Sequence, residues 1–427
     1  MSDVVLVVAS VGIRGDGIAH HDGERVFLPL TAPGDVVRAR LGERRPDGRR
    51  AELLELLAAG ARAAPRCPHF GACGGCALQH LDARAYADAK TAFLAAALRQ
   101  HRVEADAVLP LRLLPPGTRR RARFAIRRKR PAVSPAEIGF HARASHDVVD
   151  MRACAVLHPA LVALLDPLRA LAPDLMAPGG AAAATATRAE SGIDLLIDLA
   201  APPALAALEA MASFAREQDL ARLAWRTPSQ TPVPVAQHRP ARVVFAGVAV
   251  DLPYDAFLQA SAEADRELAA LVLAAAGTPR RIADLFAGIG TFAFALAGAS
   301  RVHAVDGNAA AIAALAAAAA RAGLGDRVAC ARRDLERRPL TPEELAGFDA
   351  AVFDPPRAGA RAQAQALAAS TVPRIVAVSC NPATFARDAR TLIDGGYHLA
   401  TVQPIDSFVW SPHLELVARF DRAAAPR

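Results

Sequence analysis

From residue 281 onward the chain repeats one pattern: a short apolar run, a turn, then a helix-length stretch. The runs fall at Arg281–Phe286, Val302–Val305, Val328–Ala331, Ala350–Phe353 and Ile375–Val378. Continuous apolar runs this short read as strands buried on both faces, the situation inside a parallel sheet covered by helices. Two more, Leu399–Pro404 and His413–Phe420, read as an antiparallel hairpin added to that sheet. Open α/β sheets bind ligands at the carboxyl ends of their strands. The residues that follow each run are therefore the candidates for chemistry.

Those residues are not a random set. The first run opens into Asp284-Leu285-Phe286-Ala287-Gly288-Ile289-Gly290-Thr291, where glycines let a ligand approach the backbone N–H groups at a helix start. Gly288-x-Gly290-x-x-Ala293 also fits a dinucleotide fingerprint, so this loop alone does not name its ligand. Asp306 ends the second run, about where a ribose needs a carboxylate. Asp334 follows the third, and Asp354-Pro355-Pro356-Arg357 the fourth. The fifth closes on Ser379-Cys380-Asn381-Pro382, and the hairpin carries His413-Leu414-Glu415. A lone cysteine at a strand end is usually a core thiol. In this company it reads as a nucleophile, with Glu415 as a base.

The first 60 residues alternate five short β-rich runs with glycine turns, which suggests a small barrel of OB type. Next comes Cys67-x5-Cys73-x2-Cys76 in a glycine-rich loop, with Cys154 the nearest candidate for a fourth ligand. One cluster plus one distant cysteine favours an iron–sulfur centre over zinc, whose structural sites show two close pairs. Cys330, alone in an apolar run, reads as core. The middle region mixes strands with two helices, near Pro159–Leu171 and Pro203–Glu217; Pro178-Gly179-Gly180 with the alanines after it, and Thr227–Pro240, read as surface loops. The formal net charge is +7. Arg112, Arg119, Arg120, Arg121, Arg123, Arg127, Arg128, Lys129 and Arg130, with no acid between them, account for more than the whole excess and suggest phosphate contact.

Taken jointly these segments resemble the S-adenosylmethionine-dependent RNA 5-methyluridine methyltransferases, in the branch with an N-terminal TRAM domain and a [4Fe–4S] cluster. The likeness rests on Gly15-Asp16-Gly17-Ile18-Ala19, the cysteine loop, Ile138-Gly139-Phe140-His141 through Cys154, and Phe257-Leu258-Gln259. It continues through the loop after Asp284, Phe353-Asp354-Pro355-Pro356-Arg357, Val378-Ser379-Cys380-Asn381-Pro382 and His413-Leu414-Glu415. The resemblance implies a class I methyltransferase sheet of seven mostly parallel strands. It makes Cys67, Cys73, Cys76 and Cys154 the cluster ligands. It assigns Gln259, Phe286, Thr291, Asp306, Asp334 and Asp354 to S-adenosyl-L-methionine, and Cys380 and Glu415 to catalysis. Ser261, Thr291 and the segment Phe408–Pro412 depart from the family's usual residues.

The expected organisation is an OB/TRAM-like domain over residues 1–60, an α+β middle domain over 61–250 bearing the cluster, and a catalytic domain over 251–427. Residues of about 80–111 are expected to pack on the catalytic domain. RNA is the expected partner, 23S rRNA before tRNA, and the chain is expected to be a cytoplasmic monomer. No 18-residue run is free of polar interruption, so no membrane helix is expected. An amino-methyltransferase acting on nucleic acid is the competing enzyme reading, since Asp354-Pro355-Pro356 resembles the motif that holds an amino group; it would leave Cys380 without a task. An RNA-binding assembly factor is the non-enzyme alternative.

Overall fold

A computed structural model describes residues 3–130 and 135–422. The N-terminal sheet has six strands, in the order Asp3–Val7, Val36–Arg45, Gly48–Ala58, Glu24–Leu28, Gly17–His21, Ser10–Val11. Its inner face is a small core of Leu6, Val8, Ala19, Val26, Leu28, Val37, Ala39 and Leu41. The cysteine loop follows and leads into helix α1 (Ala83–Gln100), which starts where the Asp82 side chain accepts the Ala85 N–H at 2.8 Å. Two short strands come next, β1 (Ala107–Val108) and β2 (Arg112–Leu113).

The middle of the chain forms a seven-stranded, largely antiparallel sheet around strand β3 (Arg121–Arg127). Two expectations fail here. Ala181–Ala189, after the Pro178-Gly179-Gly180 turn, is a strand rather than a loop, paired along its length with β3 and with Gly192–Asp198. Alanine is a poor strand former taken alone, but small side chains suit a central strand with helices packed over it. Within Thr227–Pro240, Val233–Gln237 is an edge strand. The helix expected near Pro159–Leu171 is split into Pro159–Val162 and Leu165–Leu175.

The C-terminal sheet is built from helix α2 (Ala262–Ala276) onward: β4 (Arg281–Leu285), α3 (Thr291–Leu296), β5 (Arg301–Asp306), α4 (Ala309–Arg321), β6 (Val328–Arg332), β7 (Ala350–Phe353), β8 (Arg374–Ser379), α5 (Pro382–Asp394), β9 (Tyr397–Asp406) and β10 (Glu415–Arg422). Strand order is β6-β5-β4-β7-β8-β10-β9-β1, with β2 also on β9, so the sheet has nine strands rather than seven. The two extra strands come from residues 107–113, running parallel to β9. They were too short to register as apolar runs. The β4–β8 block is parallel and β10 antiparallel to both neighbours. Alternate residues serve opposite cores: Ile282, Val302, Val352 and Val376 on one face, Ala283, Val305, Ala351 and Ile375 on the other. Burying each Val or Ile side chain contributes roughly 1.5–3 kcal/mol, which is why this block fixes the register. No helix of the described residues is long and apolar enough to cross a membrane.

Candidate active site

Four of the five parallel strands of this block, β5, β6, β7 and β8, end in or lead directly into polar residues on the same edge of the sheet. After β4 the chain turns through Phe286 (φ 63°), Gly288 (φ 55°) and Gly290 (φ 104°) before α3 begins at Thr291. Gly290 admits no side chain, since a Cβ there would stand 2.5 Å from the Phe294 ring. Above Gly288 the space is open. Asp306, at the end of β5, shapes this loop: one carboxylate oxygen accepts the Gly288 N–H at 2.9 Å and the other the Asn308 N–H at 2.7 Å. Asp334 lies beside it, because the Arg333 N–H donates to the Asp306 carbonyl at 2.9 Å. The Asp334 carboxylate is exposed and accepts N–H groups from Glu336 and Arg337.

Beneath the loop sits Asp284, fully buried, with neither carboxylate oxygen closing a hydrogen bond of good geometry. Burial, reinforced by Asp354 and Asp306, holds its pKa well above the ordinary carboxylate range. A buried acid beside Asp306 and Asp354 adds to the acidic character beneath the open glycine loop.

Asp354 follows β7, and its Oδ2 accepts a hydrogen bond from the Gln259 side chain at 3.0 Å. Burial raises its pKa to about 7 against that bond. Gln259 is itself held in place, as its carbonyl accepts the Arg120 Nε–H at 3.2 Å.

Cys380 and Glu415 meet through strand register. β8 and β10 pair antiparallel with Ser379 opposite Leu416, so the next step sets Cys380 alongside Glu415. Cys380 stands just before α5, where Asn381 caps Ala383 at 3.1 Å and Pro382 opens the first turn. Asn381 Nδ2 and Thr384 Oγ1 both donate to the Arg357 carbonyl, tying this turn to the loop after Asp354. A helix start favours a thiolate. Here the opposing effects win: burial first, then the charges of Glu415 and Asp354, push the Cys380 thiol up to about 12, with Arg357 pulling it back only in part. Glu415 is 2% exposed, and burial followed by Asp354 raises its carboxyl well above the usual range. The structure thus gathers Gln259, Asp354, Cys380 and Glu415 into one acidic cluster, with Phe286, Thr291, Asp306 and Asp334 along the adjoining strand ends.

The four cysteines line one cavity of about 490 Å³. The Cys67 N–H donates to Gln79 Oε1 at 3.0 Å, and the Gly75 N–H to Cys73 Sγ at 3.4 Å. The Arg152 N–H donates to His69 Nε2, which draws the Cys154 segment onto the loop. None of the four forms a disulfide. Among the described residues, no group of three or more His, Cys, Asp or Glu side chains is arranged to hold a metal ion. The same cavity is lined by Arg119, Arg357, Phe408 and His413, so it reaches the loop before Glu415.

The basic run behaves differently from its expected role. Arg120 is 3% exposed and sits 2.5 Å from Asp265 on α2. Arg112, Arg121, Arg123, Arg127 and Lys129 face Glu267, Asp255, Asp198, Asp147 and Glu137. Arg128 and Arg130 donate to backbone carbonyls. Much of the charge is therefore neutralised by acids distant in sequence, which a linear count cannot see. Among the described residues, the hydrogen-bond partner of the Arg119 side chain at the cysteine cavity is the Arg121 carbonyl, with no acid facing it.

Sequence reasoning passed over Tyr86 and Lys90, and quoted Asp284, Arg357 and His413 within motifs without giving them a role. For Lys90 a signal was available: Tyr86, Lys90, Phe93 and Ala97 share one helical face.

The family described as tRNA (uracil-5-)-methyltransferase matches residues 248–422. An uncharacterised RNA methyltransferase of Brucella suis is 42% identical across 97% of this chain and 96% of its own length. The 23S rRNA (uracil(1939)-C(5))-methyltransferase RlmD of Bordetella bronchiseptica is 35% identical, covering 98% and 93%. The chain belongs to the RNA (uracil-5-)-methyltransferase family. In structure it is similar to the Pyrococcus abyssi tRNA (uracil-54, C5)-methyltransferase crystallised with S-adenosyl-L-homocysteine, at a TM-score of 0.73 over 97% and 98% of the two chains. At 21% identity that likeness concerns the fold, a class I methyltransferase with a mixed sheet. Membership in the family makes this chain an RNA (uracil-5-)-methyltransferase.

Proposed function

We propose that the chain methylates carbon 5 of a uridine in 23S rRNA through a covalent bond between Cys380 and the base. The observation that carries this reading is the meeting of Cys380 with Glu415 and Asp354 in one acidic cluster at the strand ends. Carbon 5 of uracil is a poor nucleophile. Cys380 gives its thiol proton to solvent when the uridine binds, and addition of the thiolate to carbon 6 makes carbon 5 an enolate carbon, able to take a methyl group. S-adenosyl-L-methionine, when bound, supplies that methyl from its sulfonium. Phe286, Thr291, Asp306 and Asp334 would hold the nucleoside end of the cofactor at the open loop, with Gln259 and Asp354 where cofactor and uracil meet. Glu415 then takes the proton from carbon 5, and the thiolate leaves. A carboxyl whose proton affinity is raised by burial is suited to take a proton from carbon. A thiol pushed up to about 12 stays protonated and inert until substrate arrives, which guards it from adventitious alkylation. Glu415 is 2% exposed, out of reach of a base paired within a helix, so the target uridine must lie in a loop or be flipped out.

The preference for 23S rRNA rests on the 35% identity to RlmD, against 21% to the solved tRNA enzyme. The N-terminal sheet is read as an RNA-binding TRAM-type barrel. Cys67, Cys73, Cys76 and Cys154 are read as ligands of a [4Fe–4S] cluster. In support, four thiols without disulfides share one cavity under a glycine-rich loop whose Gly75 N–H donates to Cys73 Sγ. An amino-methyltransferase would leave both Cys380 and Glu415 idle.

The test uses RNA and a radiolabelled methyl donor. Cys380→Ala should give neither product nor a covalent complex. Glu415→Gln should trap a methylated protein–RNA complex, seen as a slow band on a denaturing gel. Wild-type turnover by Glu415→Gln, or an adduct formed by Cys380→Ala, would overturn the mechanism; 5-methyluridine found only in tRNA would overturn the target.

A further inference from the structure

Between β9 and β10 the chain makes the loop Ser407–Leu414, whose last residue adjoins Glu415. It is held by groups more than three hundred residues upstream. Lys90 on α1 has no exposed surface. Its Nζ donates to Asp406 Oδ1 at 2.7 Å, to the Phe408 carbonyl at 3.3 Å and to the His413 carbonyl. All three ammonium protons are thereby used. Tyr86, one turn earlier, donates its hydroxyl to the other Asp406 oxygen and accepts the Trp410 N–H, at 2.8 Å for the latter. Trp410 adopts a left-handed backbone (φ 58°), and its carbonyl accepts N–H groups from Ala77 at 2.9 Å and Leu78 at 3.0 Å, directly after Cys76. The His413 imidazole accepts from Arg357 at 2.9 Å, in the loop after Asp354.

A buried ion pair is a poor way to gain stability, since apolar side chains of the same volume do as well or better. What this pair supplies is direction. It touches the entry of the loop at Asp406 and Phe408 and its exit at His413, two residues from Glu415. Asp406 also neighbours Ile405, the residue paired with Glu415 across the strands.

We propose that Lys90, together with Tyr86 and Asp406, is a positioning residue for Glu415, fixing the loop so that the carboxyl stays at Cys380 during proton removal. The proposal rests on the reading of Glu415 as the base. Proton removal comes after methyl transfer, so loosening the loop should slow release of the methylated RNA more than formation of the methylated adduct. A misplacement of about 1 Å costs up to about a hundredfold in a step that depends on alignment.

The experiment is single-turnover methylation with purified Lys90→Met, Tyr86→Phe and Glu415→Gln, following adduct formation and adduct decay separately. Lys90→Met and Tyr86→Phe should slow decay at least about tenfold relative to formation, with RNA KM within about twofold of wild type. Tyr86→Phe leaves no buried charge unpaired and decides the matter if Lys90→Met does not fold. If Glu415→Gln accumulates adduct while Tyr86→Phe slows both steps equally or neither, the positioning role is overturned. If Glu415→Gln accumulates none, the base assignment falls and the proposal falls with it.

Discussion

Replacing Arg120 by methionine separates two uses of an arginine-rich strand, internal pairing and phosphate contact. Arg120 is 3% exposed, its partner Asp265 is 6% exposed, and their charged atoms stand 2.5 Å apart. Even beside that cation, burial lifts the Asp265 carboxyl to about 6. Methionine keeps much of the side-chain volume but leaves the acid alone. Removing one partner of a buried pair costs about 3–5 kcal/mol. The cost depends on pH. The folded-state pKa of Asp265 is raised, so its contribution to stability is complete below the ordinary range near 4 and is lost as pH rises through about 6. Without Arg120 holding it down, that pKa climbs further. The variant should therefore differ from wild type at about pH 5 only by about 1–3 kcal/mol, the cost of the lost hydrogen bond to the Gln259 carbonyl, and by more at about pH 8. Urea denaturation at the two pH values reads this directly, and the log–log salt slope of RNA binding should not change. Unaltered stability at pH 8, with a slope shallower by about one unit, would mean that the guanidinium faces RNA and that the buried-pair argument is wrong.

Glu415→Gln should lower the Cys380 pKa, because the Glu415 charge is one of the groups pushing it to about 12; iodoacetamide should alkylate Cys380 faster in the variant at about pH 9, and an unchanged rate would refute the coupling. Gly290→Ala forces a Cβ to within 2.5 Å of the Phe294 ring at φ 104°, and the expected loss is about 1–3 kcal/mol together with S-adenosylmethionine binding measured by calorimetry. Anaerobically purified protein should carry about four irons per chain, and Cys154→Ser should lose them; zinc in their place would refute the cluster. Arg123→Ala, which breaks an exposed pair with Asp198, should cost under about 1 kcal/mol in the same denaturation assay.

The parallel block was legible because its strands are buried on both faces and so written as continuous apolar runs: Ile282, Val352 and Val376 could hardly be read otherwise. The polar residues after those runs were legible for the same reason, since the sheet fixes where each strand end points. What sequence could not show depends on distant partners. Ala181–Ala189 becomes a strand only because β3 and Gly192–Asp198 flank it. Residues 107–113 are strands of two residues each, defined by β9 rather than by themselves. The arginines of 112–130 looked free because their acids come from as far away as Asp265 and Glu267. Lys90 looked like a surface lysine, although the helical face it shares with Tyr86 and Phe93 marked it as inward.

The strands contributed by residues 107–113 set a limit on how this enzyme can be cut and recombined. The region matched as a family unit begins at residue 248, yet the sheet it contains is closed along β9 by a segment lying well before that point. A fragment starting at 248 would present Thr401–Asp406 as a bare edge, open to pairing with any other chain. It would also leave the Asp406 carboxylate without Lys90 and Tyr86. The unit of sequence likeness and the unit of folding are therefore different, and grafting the former onto another RNA-binding module should give an aggregating protein unless residues 83–113 travel with it.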